Sequence, residues 1–382
     1  MRFSVLLPTR NGGSLIAGAV HSVLDQEYDD AELIVSNNAS QDGTAEILAE
    51  FDDPRLRVLT LDSPVGVTEN WNHCLAHATG DYVMLLGDDD VLLPGYFQRA
   101  ETLLGAAGSP DVLLYNGFAY AFPGFAGSPH SHYADPFYSP AARLPLDGPV
   151  PLDQRRRTVG GMFAFRFDVH LNMQTALVAR TAIEQLRAGC FRPPFPDFYA
   201  LNALMLTVGR WVMSSERLVV VGVSPKSFGR TIHSSDQARG LAYLGIEPAF
   251  AGQLPGSEIV NGTYETLLAL KADYGPELAG IEIDRAEYVV QQLYAWFVQA
   301  RLGSLSLSDV GRRARLLGGR DWALAAGLLA RRARPAALRR RLDLDRDDPA
   351  AQLWPGMRPV PEVNDIGEFA HWIARREAPA RE

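Results

Sequence analysis

"YVMLLGDDDVLLPG", residues 82–95, runs from five apolar residues into three consecutive carboxylates and then into a second apolar run. The first run, 82–86, reads as a buried strand, and Asp88, Asp89 and Asp90 crowd into the turn that ends it. Like charges this close repel, and each resists leaving water unless a cation compensates. A turn needs one Asp or two. A third points to a metal ion, or to a ligand that brings one.

The residues upstream give that strand its neighbours. "FSVLLP" (3–8), "AELIVSNN" (31–38) and "LRVLTL" (56–61) read as strands, the first closed by Pro8. Helical spacing appears in "SLIAGAVHSVLDQ" (14–26), where Ser14 is placed to cap, in "DGTAEILAEFD" (42–52), and in "VTENWNHCLAHAT" (67–79) before Gly80. Strand and helix alternating at this spacing predict an α/β fold, a mostly parallel sheet with right-handed crossovers and flanking helices. Ligands of such sheets sit beyond the carboxyl ends of the strands. Thr9, Arg10, Asn11, residues 36–40 and the Asp88–Asp90 turn all fall on that edge.

Farther along, "GYFQRAETLLGAAG" predicts a helix, after which residues 120–160 lose lasting periodicity. "MQTALVART" (173–181) and the strand "ERLVVVGVS" (216–224) flank "FPDFYALNALMLTVG" (195–209), helical after Pro196. From about residue 240 the strands give way to helical patterns, so two parts are expected, 1–240 and 241–382.

Composition narrows the class. The chain has 382 residues, 47% hydrophobic and 21% charged, as in a globular protein with a sizeable core. A formal net charge of −9 argues against a nucleic-acid partner. Two cysteines, Cys74 and Cys190, exclude a disulfide framework and fit a reducing compartment. The N-terminal apolar run is too short for a signal peptide, and no stretch approaches the roughly 18 apolar residues of a span. The expected location is cytoplasmic, or peripheral at the inner face of the membrane. Residues 312–341 hold ten Arg against one Asp, interleaved with Leu and Ala. They read either as a solvated basic helix pair or as an amphipathic segment drawn to anionic lipid.

Taken in order, "VLLPTRNGG", "ELIVSNNASQDGT" and "GVTENWNHCLAHATGDYVMLLGDDDVLLPGYF" resemble the nucleotide-sugar-binding half of a family 2 glycosyltransferase, over roughly residues 1–100 and more weakly to about 230. The resemblance implies a GT-A type, Rossmann-like fold with a helical C-terminal region that it does not cover. It implies that Pro8, Thr9, Arg10 and Asn11 contact the base and ribose of a nucleoside diphosphate sugar. Asn37 and Asn38 stand where the family carries a base-reading carboxylate. Asp88, Asp89 and Asp90 correspond to its DXD-type motif, with Gly87 in place of the usual first Asp and Asp89 the best-aligned ligand. That motif implies a divalent cation, Mn2+ or Mg2+, bridging the diphosphate, the usual mode for hard cations on carboxylates.

Transfer needs a base for the acceptor hydroxyl. The family's base position matches Asp197 in "PPFPDFYALNAL", with Pro196 where Glu is usual; the plainer alternative is a helix-start Asp that favours the macrodipole. Asn70 and Asn72 match a position that supports the nucleotide loops, where packing is the rival reading. Lys226 and Arg230 are candidate diphosphate contacts, and His233 is a candidate further metal ligand. Arg155, Arg156 and Arg157 form a charge run that could meet an acceptor phosphate.

The reading is an inverting, metal-dependent glycosyltransferase using a uridine or thymidine diphosphate sugar and a saccharide, lipid-linked or other hydroxyl acceptor. Two rivals stay open. A sugar-phosphate nucleotidyltransferase needs a Gly-rich basic loop after the first strand, and "PTRNGGSL" has one Arg and two Gly. An inactive nucleotide-sugar-binding scaffold is suggested by Gly87, Asn37 and Pro196.

Overall fold

The computed structural model describes residues 1–135, 147–167, 171–225, 227, 241, 243–301, 303–332 and 356–377. Four apolar runs become the parallel half of one sheet: β1 (Phe3–Thr9), β2 (Ala31–Asn37), β3 (Leu56–Thr60) and β4 (Tyr82–Leu85). β1 lies between β2 and β4, and β2 pairs with β3. Phe3, Val5, Leu6 and Leu7 are wholly buried, as are Leu33, Ile34 and Val35 of β2. Two-sided burial explains why these strands read as continuous apolar runs rather than alternating ones.

The crossovers are α1 (Leu15–Leu24), α2 (Thr44–Leu48) and α3 (Val67–Leu75). α1 buries Ile16, Ala19, Val20, Val23 and Leu24, the stripe that its spacing predicts. Ser14 precedes it but makes no side-chain cap. The entry is held instead by Gly13 N–H donating to Thr44 Oγ1 at 3.0 Å.

Beyond the short β5 (Val91–Leu92) and α4 (Tyr96–Ala106), the sheet grows by antiparallel and mixed pairing. The added strands are β6 (Val112–Ala121), β7 (His132–Ala134), β8 (Gly148–Pro149), β9 (Ala176–Ala179) and β10 (Trp211–Val223). β9 joins β4 to β6, and β10 runs parallel to β6 while pairing with β5 and β8. Eleven strands result among the described residues, counting β11 (Arg358–Pro359), which pairs with β7.

The aperiodic stretch 120–160 contains a helix, α5 (Leu152–Phe163). Its sequence, with three Arg and two Gly, hides an amphipathic pattern because Arg155 points inward and is buried. The Arg155 guanidinium donates to the carbonyl oxygens of Met205, Val208 and Gly209 at 3.2, 2.5 and 3.0 Å. It thereby satisfies the C-terminal carbonyls of α7 (Pro196–Thr207), which α6 (Arg180–Glu184) precedes. Arg156 donates to Glu277 O at 2.6 Å and Arg157 pairs with Asp153 at 2.6 Å. Arg155 thus ties α5 to the end of α7 and Arg156 reaches the 277 turn, while Arg157 pairs within α5 itself.

Helix Glu258–Asp273 backs α7, with Tyr199 Oη and Arg192 Nη1 both donating to Asp273 Oδ2 at 2.6 and 2.7 Å, and helix Arg285–Arg301 packs on it in turn. Helices Leu307–Ala314 and Gly319–Arg332 follow. The chain then returns through β11 to helix Ile366–Glu377, which seats Ile366, Phe369 and Ile373 with Val91, Phe118, Tyr120 and Val220 of the sheet. Among the described residues no helix is long and apolar enough to cross a membrane.

Candidate active site

The carboxyl ends of β1, β2 and β4 open on one rim, where register places Thr9 beside Asn37. Asn38 N–H donates to Thr9 O at 2.9 Å, and Asn37 Oδ1 accepts from Ser40 N–H at 3.1 Å. The Asn38 amide closes a two-way pair with the Val65 backbone, at 2.9 and 2.8 Å. Asn11, in left-handed backbone at φ 54°, accepts from Gln41 N–H and donates its own N–H to Ser40 Oγ, both at 2.8 Å. These bonds tie three loops into one wall. Below it, Ser36 Oγ donates to Asn70 Oδ1 at 2.6 Å with His73 Nδ1 at 2.9 Å, so Asn70 is a buried prop. Asn72 leads away from the rim and donates to Phe191 O at 3.0 Å.

The Asp turn is divided. Thr9 Oγ1 donates to Asp88 Oδ2 at 2.6 Å, and Ser227 Oγ donates to Asp89 Oδ2 at 2.9 Å, with both carboxylates half-buried at the cleft. Asp90 is 1% exposed, and its two oxygens accept from Gly87 N–H and Gly222 N–H, each at 2.8 Å. Burial pushes Asp89 above the usual carboxylate range, with hydroxyls of Ser224 and Ser227 opposing; burial and the Asp89 charge push Asp90 to about 8. Burial disfavours the charged form of each, and a cation alongside would favour it.

Two glycines make that crowding fit. A Cβ at Gly87 would stand 2.6 Å from Asp90 Oδ2, so the Asp90 carboxylate takes the space that a first Asp would need. A Cβ at Gly222 would overlap the Asp89 carbonyl oxygen. Gly222→Ala should therefore displace the turn, at the cost of about 1–3 kcal/mol typical of overpacking. The check is a thermal melt with nucleotide binding measured alongside; a variant unchanged in both would contradict the close approach.

Across the cleft stands Asp197, in the first turn of α7 behind Pro196, which lacks the N–H that a first helical residue leaves unbonded anyway. Its Oδ1 accepts from Phe198 N–H at 2.8 Å, yet burial outweighs that bond and raises the carboxyl to about 6. The cleft, about 460 Å³, is lined by Pro8, Thr9, Arg10, Asn38, Asn70, Asp88, Asp89, Asp90 and Asp197 among others. It thus collects most of the residues singled out in the sequence, while Asn11, Asn37 and Asn72 are not in the lining. Lys226, Arg230 and His233 lie outside the described residues.

The lining also includes Val65, Trp71, Asn172, Gln174, Ser227 and Tyr243, which sequence reasoning missed. Gln174 bonds Asp90, and its Oε1 is buried with no partner among the described residues. Tyr243 is 44% exposed overall, yet burial of its hydroxyl end and then the charges of Asp197, Asp88 and Asp89 raise its pKa. It is seated by Gly245, at φ 70°, pressed against Gly66, where either Cβ would collide. Paired glycines before a helix and after a Tyr were the legible signal.

Two hard-oxygen carboxylates facing a polar cleft suit Mg2+ or Mn2+, provided a ligand's oxygens complete the shell. Among the described residues no group of three His, Cys, Asp or Glu side chains could hold a metal unaided. The donor set fits a cation that arrives with a diphosphate.

Residues 4–171 match the model for Glycosyl transferase family 2. A GalNAc(5)-diNAcBac-PP-undecaprenol beta-1,3-glucosyltransferase of Campylobacter jejuni is 36% identical over 97 residues, 25% of this chain and 31% of that protein. The UDP-Glc:alpha-D-GlcNAc-diphosphoundecaprenol beta-1,3-glucosyltransferase WfgD of Escherichia coli is 33% identical over 88 residues, 23% of this chain and 35% of that protein. The matched part of the chain spans about a third of the length of these relatives. The mannosyltransferase PcManGT of Pyrobaculum calidifontis, solved with GDP-Man and Mn2+, shares the fold at a TM-score of 0.50 and 16% identity, over 92% of this chain and 87% of that one. Residues 4–171, then, are similar in sequence to glycosyl transferase family 2.

Proposed function

We propose that the protein transfers a sugar from a nucleoside diphosphate donor to an acceptor hydroxyl with inversion at the anomeric carbon. The observation that carries this reading is Asp197, raised to about 6, facing the same cleft as Asp88 and Asp89. A carboxylate with that pKa is ionised at neutral pH and close enough to it to accept a proton efficiently.

In the proposed reaction Asp197 takes the proton of the acceptor hydroxyl. The hydroxyl oxygen attacks the anomeric carbon from the face opposite the diphosphate, and the bond to the diphosphate oxygen breaks. Asp88 and Asp89 would hold Mn2+ or Mg2+, which offsets the charge that grows on the departing diphosphate. Thr9 and Ser227 fix the two carboxylates, and Asp90 fixes the turn by holding Gly87 and Gly222. The Gln174 Oε1 without a partner suits a sugar hydroxyl, since a buried acceptor left unbonded is costly.

Uridine or thymidine diphosphate sugars are the proposed donors. The acceptor class is a saccharide or lipid-linked saccharide, supported by the two relatives named for undecaprenol-linked acceptors. That chemistry belongs to the cytoplasm, where nucleotide sugars are found, and a lipid-linked acceptor would bring the protein to a membrane surface. A thermal-shift panel of nucleoside diphosphates and their sugars, with and without Mn2+, tests the reading. Ligands that bind only the folded state raise the melting temperature with their concentration over Kd, so the donor should stand out with metal present. A flat panel at millimolar ligand would contradict the reading.

A further inference from the structure

Helix Gly319–Arg332 packs one side on helix Arg285–Arg301, where Asp321 takes a two-bond pair from Arg285 at 3.1 Å and Ala325 is buried. Its other side faces outward with Trp322, Ala323, Ala326, Leu329 and Ala330, positions that recur at helical spacing. Trp322 and Leu329 are each 45% exposed, and the turn before the helix adds Leu316 at 60%. The preceding helix starts with Leu307 at 85%. A helix in water normally carries charge on its solvent face. Here the exposed positions between Trp322 and Ala330 carry none.

The charge sits around the apolar stripe instead. Residues 307–332 hold six Arg against Asp309 and Asp321 in a chain whose formal net charge is −9. Asp309 is held by Arg312 at 2.6 Å and Asp321 by Arg285, so both acids are already neutralised. Arg315 and Arg320 are exposed and make no ion pair among the described residues. Trp and Leu projecting between arginines match the interfacial layer of an anionic bilayer, where apolar side chains enter the acyl boundary and guanidinium groups stay with the phosphates.

We infer that the outward face of residues 307–332 docks on an anionic membrane surface. The inference does not depend on the glycosyltransferase reading, and its test does not use activity. In this contact Leu316, Trp322 and Leu329 insert, while Arg312, Arg315 and Arg320 meet headgroup phosphates.

The test is co-sedimentation of the full chain with vesicles of phosphatidylcholine alone and with phosphatidylglycerol added, at low and high salt. It is repeated on Trp322→Ser/Leu329→Ser, changes on an exposed face that leave the packed side intact, as circular dichroism would verify. The wild-type chain should bind the anionic vesicles and lose much of that binding at high salt, because the Debye length falls. The double variant should bind at least about tenfold less, the scale expected when two large apolar side chains no longer enter lipid. Equal binding by variant and wild type would place the contact elsewhere and overturn the inference. So would equal binding to neutral vesicles, or none to either. Sedimentation velocity supplies the last arm: a self-associated species that the double variant abolishes would assign the face to a second copy of the chain, again overturning it.

Discussion

Asp197→Asn should give a folded protein with near-normal donor affinity and turnover at least about a hundredfold lower, the range general bases contribute. Asn is nearly isosteric, so α7 and its Arg155 anchor stay in place. The pH profile adds a readout that packing would not move. With a pKa near 6, Asp197 is ionised above that value, so wild-type turnover should rise with pH through about 6 and then level off. The variant's residual activity should lack that limb. Stability should respond in the opposite sense. A carboxyl whose folded pKa is raised costs stability once ionised, a cost absent below about 4 and complete above about 6. The Asn variant should therefore be at least as stable as wild type at pH 7, with the difference vanishing toward pH 4. A variant retaining more than about a tenth of wild-type turnover would remove Asp197 from the mechanism.

Asp89→Asn should abolish the Mn2+-dependent part of donor binding. Even outer-sphere changes at metal sites cost about 10–100-fold in affinity, so loss of a ligand should cost no less. Calorimetric titration of nucleoside diphosphate with and without Mn2+ measures it. Asp90→Asn is the contrasting variant: one of the Gly87 and Gly222 N–H groups loses its acceptor, so the effect should appear first in thermal stability. If Asp89→Asn keeps wild-type metal dependence, the division of the Asp turn into ligands and scaffold is wrong.

The parallel half of the sheet was legible because β1, β2 and β4 are buried on both faces, leaving unbroken apolar runs that end in polar loops. Charge made Asp88 and Asp89 visible as well, since three clustered acids need an explanation, while Asp197 was visible only through its match to a family position. The remaining parts depend on contacts distant in sequence. α5 was hidden because Arg155 turns inward to serve carbonyls some fifty positions away, and no local pattern announces that. Gln174 and Tyr243 are neutral in sequence and gain meaning only when folding sets them beside Asp90 and Asp197. Gly87 reads as a lost ligand until the Asp90 carboxylate is seen to fill its place.

A crystal structure of the protein with uridine diphosphate and Mn2+ tests the central claim most directly. The account predicts the cation on Asp88 and Asp89, the diphosphate between it and Thr9, and Asp197 left open on the facing side of the cleft. Nucleotide bound elsewhere, or metal held without Asp88 and Asp89, would contradict it.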